Sequence, residues 1–157
     1  MTYKTTSDMD TAALGAAVAP LLMRGDALLL RGELGAGKSV LARGIARALG
    51  VEGAMQSPTF TLLQSYRGKL PFHHFDLYRL NGESEFFDAG LDETLFGNDG
   101  ICVVEWPIEG IELESSICIA IERGQNDNER LITIDYGLYS NRDALIQTIK
   151  QWEVKPC

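Results

Sequence analysis

Cysteine is scarce in this chain: three among 157 residues, an odd number with no paired spacing, which excludes a disulfide framework and a cysteine-built zinc site. Cys102 and Cys118 lie in apolar, strand-like runs and read as small core residues, while Cys157, at the last position, is expected to be exposed. Long apolar runs are also missing. The longest candidate, residues 12–23, is broken by Pro20 and falls short of a bilayer span. Met1-Thr2-Tyr3-Lys4-Thr5 has none of the regions of a signal peptide, so a cytoplasmic location is the expectation. Basic residues are outnumbered, 14 Lys and Arg against 22 Asp and Glu, for a formal net charge of −8. A protein that grips nucleic acid unaided needs a basic stripe to neutralise phosphates. No such stripe is visible, which argues against DNA, RNA or a membrane as a direct partner and favours small molecules or proteins. There are no internal repeats, low-complexity tracts or linkers, and the length suits one domain spanning 1–157.

What is present reads as alternating helix and strand. Ser7 stands as an N-cap, with Asp10 three residues on, before an Ala- and Leu-rich helix that runs to about Ala19 and meets Pro20. Ala27-Leu28-Leu29-Leu30 is a short continuous apolar run, the mark of a strand buried on both faces. Residues 39–49 predict a helix with Val40, Leu41, Ile45, Ala48 and Leu49 on one stripe, stopped by Gly50. Two strands are expected at 61–66 and 71–77, joined at Arg67-Gly68-Lys69. A polar, partly helical stretch at 81–96 leads to a buried strand, Ile101-Cys102-Val103-Val104, closed by Pro107. Segments 117–121 and 131–136 pair as a hairpin across the polar loop 124–130, and a last amphipathic helix starts near Asn141 with Ala144, Leu145, Ile149 and Trp152. The pattern predicts an α/β fold with a mixed sheet flanked by helices and a C-terminal hairpin.

The segment richest in chemistry is Gly32-Glu33-Leu34-Gly35-Ala36-Gly37-Lys38-Ser39, placed between a buried strand and a helix. This is the P-loop arrangement. A triphosphate needs donors that approach closely, and the glycines let the amides of Glu33, Leu34, Gly35, Ala36 and Gly37 converge on it. The helix start at Lys38, Ser39 and Val40 adds unpaired amides and a partial positive charge. Lys38, expected to be exposed here, reaches the β- and γ-phosphates, and the Ser39 hydroxyl is a magnesium ligand. A second, acidic ligand usually closes a neighbouring apolar strand, and both Glu105 and Asp76 fit, Glu105 better because its strand is cleanly apolar. Thr59, on a loop stiffened by Pro58, has a hydroxyl suited to sensing the γ-phosphate. His73 and His74 are adjacent, point to opposite faces of a strand and read as structural or rim residues. Trp106 is either an aromatic partner contact or a core cap. Arg43 and Arg47 lie one helical turn apart and read as a solvated face or as a contact to an acidic protein surface.

The motifs at 32–39, Ser57-Pro58-Thr59-Phe60, His74-Phe75-Asp76-Leu77-Tyr78-Arg79-Leu80 and Val104-Glu105-Trp106-Pro107 follow one another in order. Together they resemble the TsaE family, also called YjeE, over nearly the whole chain. The resemblance implies a P-loop ATPase fold, with ATP and Mg2+ as cofactors and the TsaB–TsaD complex as partner. It implies a part in making threonylcarbamoyladenosine beside the anticodon of tRNAs that read codons starting with A, with tRNA met only through the partners. It further implies that ATP binding and hydrolysis serve repeated rounds rather than the carbamoyl transfer itself. Carried over by motif, Lys38 and Ser39 serve phosphate and metal, Glu105 the metal, and Asp76 the metal environment or attacking water. Thr59 falls in a switch-like loop, and Ser7 and Asp8 match contacts to the adenine end. Ser39 stands where many members carry threonine, and it keeps the hydroxyl.

A small-molecule kinase uses the same cradle, but it needs a basic lid, and Arg130 and Arg142 lie too far along the chain to form one. A nucleotide-dependent switch without hydrolysis is the third reading. The absence of an Asn-Lys-x-Asp motif argues against a GTPase.

Overall fold

Alternating side-chain direction explains the layers. In the computed structural model, which describes residues 1–111 and 113–156, the strand β2 (Ala27–Arg31) turns Leu28 and Leu30 to one face of the sheet and Ala27 and Leu29 to the other. Both sets are buried, so the run is apolar without alternation.

The other strands are β1 (Thr2–Thr5), β3 (Leu63–Tyr66), β4 (Phe72–Asp76), β5 (Ile101–Glu105), β6 (Ile117–Arg123) and β7 (Arg130–Asp135). They form one sheet in the order β1-β7-β6-β2-β5-β4-β3. Strands β6, β2, β5 and β4 are parallel, and the outer pairings are antiparallel. The helices are α1 (Asp8–Val18), α2 (Lys38–Ala48), α3 (Glu83–Asp88), α4 (Leu91–Leu95) and α5 (Arg142–Thr148). Leu14 of α1 and Leu41 and Ile45 of α2 cover one face, against Leu28, Leu30, Val103 and Ile119. Phe86 of α3 and Leu91 and Leu95 of α4 cover the other, against Leu29, Phe75 and Val104. The fold is a single α/β domain with a mixed sheet between helices.

Ser7 caps α1 as expected, its Oγ accepting the Asp10 amide at 3.0 Å. The return bond differs from a capping box: Asp10 Oδ2 takes the amide of Thr6, at 2.9 Å. Helix α1 ends at Val18 and Pro20 sits in a following 3-10 turn, Ala19–Leu21. Gly50, at φ 85°, stops the P-loop helix. The C-terminal helix starts at Arg142, buries Leu145 and Ile149, and continues as a 3-10 turn to Trp152, whose indole N–H donates to Asp10 Oδ1 at 2.7 Å.

Several boundaries move, and one strand is new. The strand expected at 61–66 begins only at Leu63, because Leu62 has φ 66° and its amide closes a turn on the Pro58 carbonyl. The hairpin is longer than expected, reaching Arg123 and starting again at Arg130, which makes Arg130 a strand residue. Strand β1 was absent from the sequence reading. Its four residues alternate with Tyr3 and Thr5 inward, too short a period to stand out, and pairing to β7 fixes it, with Tyr3 opposite Ile132. Cys102 is buried, its thiol pushed up to about 12 by desolvation, and Cys118 is half-buried. The expectation for Cys157 lies outside the described residues.

Helices α1 and α2 approach closely because glycine faces backbone. A Cβ on Gly44 would stand 2.4 Å from the Ala12 carbonyl oxygen. Gly44→Ala should therefore destabilise the fold by about 1–3 kcal/mol, the usual cost of overpacking. Urea denaturation monitored by circular dichroism measures it.

Candidate functional site

The C-terminal ends of the parallel strands carry the site. Loop 32–37 leaves β2 and enters α2, whose first amides have no intrahelical acceptor. Gly32 has φ 151°, and a Cβ there would lie 2.5 Å from the Ile121 carbonyl oxygen; Gly37 caps α2 at φ 110°. Only glycine combines this conformation with this closeness.

Two acids stand side by side because their strands are in register, with Asp76 of β4 opposite Glu105 of β5 and Leu30 of β2 on the other side of Glu105. The Ser39 hydroxyl donates to Glu105 Oε1 at 3.0 Å. Asp76 Oδ2 accepts from the hydroxyls of Ser57 and Thr59, both at 3.3 Å, and Oδ1 accepts the Tyr78 amide at 3.1 Å. The loop stiffened by Pro58 is thus tied to the second acid, and Thr59 faces the P-loop across a cleft.

Lys38 departs from the expectation of an exposed side chain: it is 4% exposed. Its ammonium donates to the carbonyls of Gly32 at 2.5 Å and Glu33 at 2.9 Å and lies 4.1 Å from the centre of the Trp106 ring. Burial lowers its pKa, while the negative charges of Glu105 and Asp76 oppose that shift. Trp106 therefore caps the lysine rather than the core. It holds φ 57°, a strained conformation for a bulky residue, with its amide bonded to the Leu30 carbonyl at 3.2 Å.

The cleft encloses about 280 Å3 and is lined by Asp8, Leu34, Gly35, Gly37, Lys38, Ser39, Val40, Ser57, Thr59, Asp76, Glu105, Trp106 and Arg130. Most of the expected site residues meet there. Three do not line it with their side chains. Ser7 spends its hydroxyl on the helix cap, Glu33 is exposed elsewhere, and Ala36 is buried beneath the loop. The latter two act through backbone, the Glu33 carbonyl toward Lys38 and the Ala36 carbonyl toward Arg130.

Two site residues escaped the sequence reading. Arg130, considered only as part of a basic lid and set aside as too far along the chain for one, is buried in the cleft wall. Its Nε donates to the Ala36 carbonyl at 2.7 Å and one terminal nitrogen to the carbonyls of Asp127 and Glu129. Strand order explains this, since β6 lies beside β2 and the hairpin folds back over the P-loop. His74, expected to be a structural or rim residue, is structural: it is 1% exposed and bonds Glu105 Oε2 at 2.5 Å, a tie to Glu105 that was not anticipated. The usable signal was its spacing of two from Asp76, which puts both on one face. His73 points to the opposite face as expected, bonding Ser65 and Asp99. Arg43 is half-buried and Arg47 exposed.

Among the described residues no group of three His, Cys, Asp or Glu side chains forms a metal cage. A hydroxyl and a carboxylate held together, with room for phosphate and water, suit magnesium, which keeps several waters and a substrate phosphate.

Fold and site define a P-loop protein of the nucleotide-binding α/β class. Residues 5–132 match the family described as threonylcarbamoyl adenosine biosynthesis protein TsaE, and the chain belongs to that family. It is 45% identical over 100 residues to the tRNA threonylcarbamoyladenosine biosynthesis protein TsaE of Treponema pallidum, covering 64% of this chain and 73% of the relative. With the Bacillus subtilis protein of the same name it is 41% identical over 134 residues, 83% and 82% of the two chains. The crystal structure of Bacillus subtilis YdiB superposes with a TM-score of 0.76 at 33% identity, covering 96% of this chain and 94% of the other.

Proposed function

We propose that this chain is a magnesium-dependent ATPase that acts with TsaB and TsaD in forming threonylcarbamoyladenosine in tRNAs reading codons that start with A. The observation that carries the reading is the Ser39–Glu105 hydrogen bond at the foot of the P-loop, with Asp76 alongside. In this reading the loop amides, Lys38 and the first turn of α2 hold the phosphates, and Ser39 and Glu105 hold the metal. Magnesium, when bound, neutralises charge developing on the transferred phosphoryl group. Asp76, set by Ser57, Thr59 and the Tyr78 amide, orients the attacking water, and Thr59 links phosphate occupancy to the 56–60 loop. In this reading Asp8 and Val40, which both line the cleft, contact the nucleoside. The whole chain serves as one ATPase domain.

Among the described residues no helix is long and apolar enough to cross a membrane. A small-molecule kinase has no specific support: Arg130 is tied to three backbone carbonyls, as a strut and not a lid. A pull-down with TsaB and TsaD, with and without ATP, tests the partnership. Nucleotide-dependent capture is the expected result, and no capture in either condition contradicts it.

The chain alone should not bind tRNA at physiological salt, given a net charge of −8 and 14 basic residues spread thinly. Filter binding should retain tRNA only when TsaB and TsaD are present. Tight, salt-sensitive retention by the isolated chain would put the RNA contacts on this protein instead.

A further inference from the structure

We propose that His74 is a positioning residue for Glu105, holding the carboxylate so that one oxygen stays turned toward Ser39 and a divalent cation. The inference rests on the metal reading above and adds to it a residue that touches neither phosphate nor metal. Strand register places the ring. Asp76 is the Cα partner of Glu105, and His74 lies two residues before Asp76 on the same face, so its ring reaches Glu105 diagonally. Nε2 meets Glu105 Oε2 at 2.5 Å while Oε1 takes the Ser39 hydroxyl at 3.0 Å. The Ser39 hydroxyl also approaches Oε2, at 3.3 Å, so it does not by itself choose between the two oxygens; the His74 ring, which meets Oε2 alone, is what fixes the rotation of the carboxylate.

The other ring nitrogen argues that this bond is the reason for the histidine. Nδ1 is the one buried side-chain nitrogen or oxygen without a hydrogen-bond partner among the described residues. A phenylalanine would fill the space beside Phe72 and leave no unpartnered ring nitrogen, so packing alone does not call for a histidine. An imidazole there is a poor core filler and a good donor to a buried carboxylate. Partners of this kind orient metal ligands elsewhere, and their loss weakens metal binding without touching the metal.

Glutamine carries its amide nitrogen about where Nε2 sits, and asparagine about where Nδ1 sits, so the two separate the bond from polarity in general. His74→Phe keeps the ring and removes the donor. Manganese binding to each variant, saturated with a non-hydrolysable ATP analogue, is read from the free-ion electron paramagnetic resonance signal. Analogue affinity is measured separately in EDTA, and folding by circular dichroism. His74→Asn and His74→Phe should bind manganese about 10- to 100-fold more weakly, and His74→Gln within about 3-fold of the parent, with analogue affinity in EDTA unchanged in all. Equal manganese affinity in the folded Gln and Asn variants overturns the proposal, as does parent-like affinity in folded His74→Phe. Should the phenylalanine variant fail to fold, the Gln–Asn pair decides alone. Glu105→Gln is the control for the underlying reading. If it binds manganese like the parent, Glu105 is not the metal ligand. If it does not, while His74→Asn does, only the role of His74 fails.

Discussion

Lys38→Ala should abolish detectable ATP turnover while leaving the protein folded. Loss of a preorganised positive donor to charge that develops in a transition state typically costs about 10²- to 10³-fold in rate. Loss of a charge-assisted hydrogen bond to the phosphates should weaken ATP binding by about 10- to 100-fold. The fold survives because the lysine contributes little to either core. Its ammonium bonds two loop carbonyls and lies over Trp106, beside a cleft from which water can replace it. Circular dichroism with a nucleotide titration and a phosphate-release assay checks all three points. Unchanged turnover in a folded variant removes the phosphate assignment.

Glu105→Ala should separate turnover from binding. In the proposed reading the loop amides, Lys38 and the start of α2 hold phosphates without it, so nucleotide affinity in EDTA should change little. Turnover in magnesium should fall by about 10²-fold or more, because the role proposed for the carboxylate is to hold the ion that neutralises developing charge. The substitution also strands the His74 Nε2 and the Ser39 hydroxyl, both now bonded to Glu105. Glu105→Gln, which keeps the volume, is the companion variant. Normal hydrolysis in both would move the metal to Asp76, its neighbour in the sheet.

How far the sequence discloses this molecule depends on how local each feature is. The cradle at 32–39 was legible because its requirements, glycine conformations after an apolar strand and before a helix, lie within a dozen residues. Glu105 and Asp76 were legible as acids closing strands, but the sequence left their relative roles open. Only the pairing of β4 with β5 puts them shoulder to shoulder. Arg130 was illegible for the same reason. Its place beside Ala36 follows from β6 being the neighbour of β2, a fact of sheet order that no short pattern encodes. Lys38 was misjudged because a lysine on a surface loop is normally solvated, and the cover comes from Trp106, 68 residues further on. Strand β1 shows the limit from the other side: four residues carry almost no periodic signal, and β7 supplies the reason for their conformation.

The most direct test of the central claim is phosphate release from magnesium-ATP by this chain, measured with and without purified TsaB and TsaD. Release should be weak alone, rise on adding the partners, and vanish in Lys38→Ala under both conditions. Label from the γ-phosphate appearing on a small metabolite, or turnover that Lys38→Ala leaves intact, would contradict an ATPase that works through this P-loop on that complex.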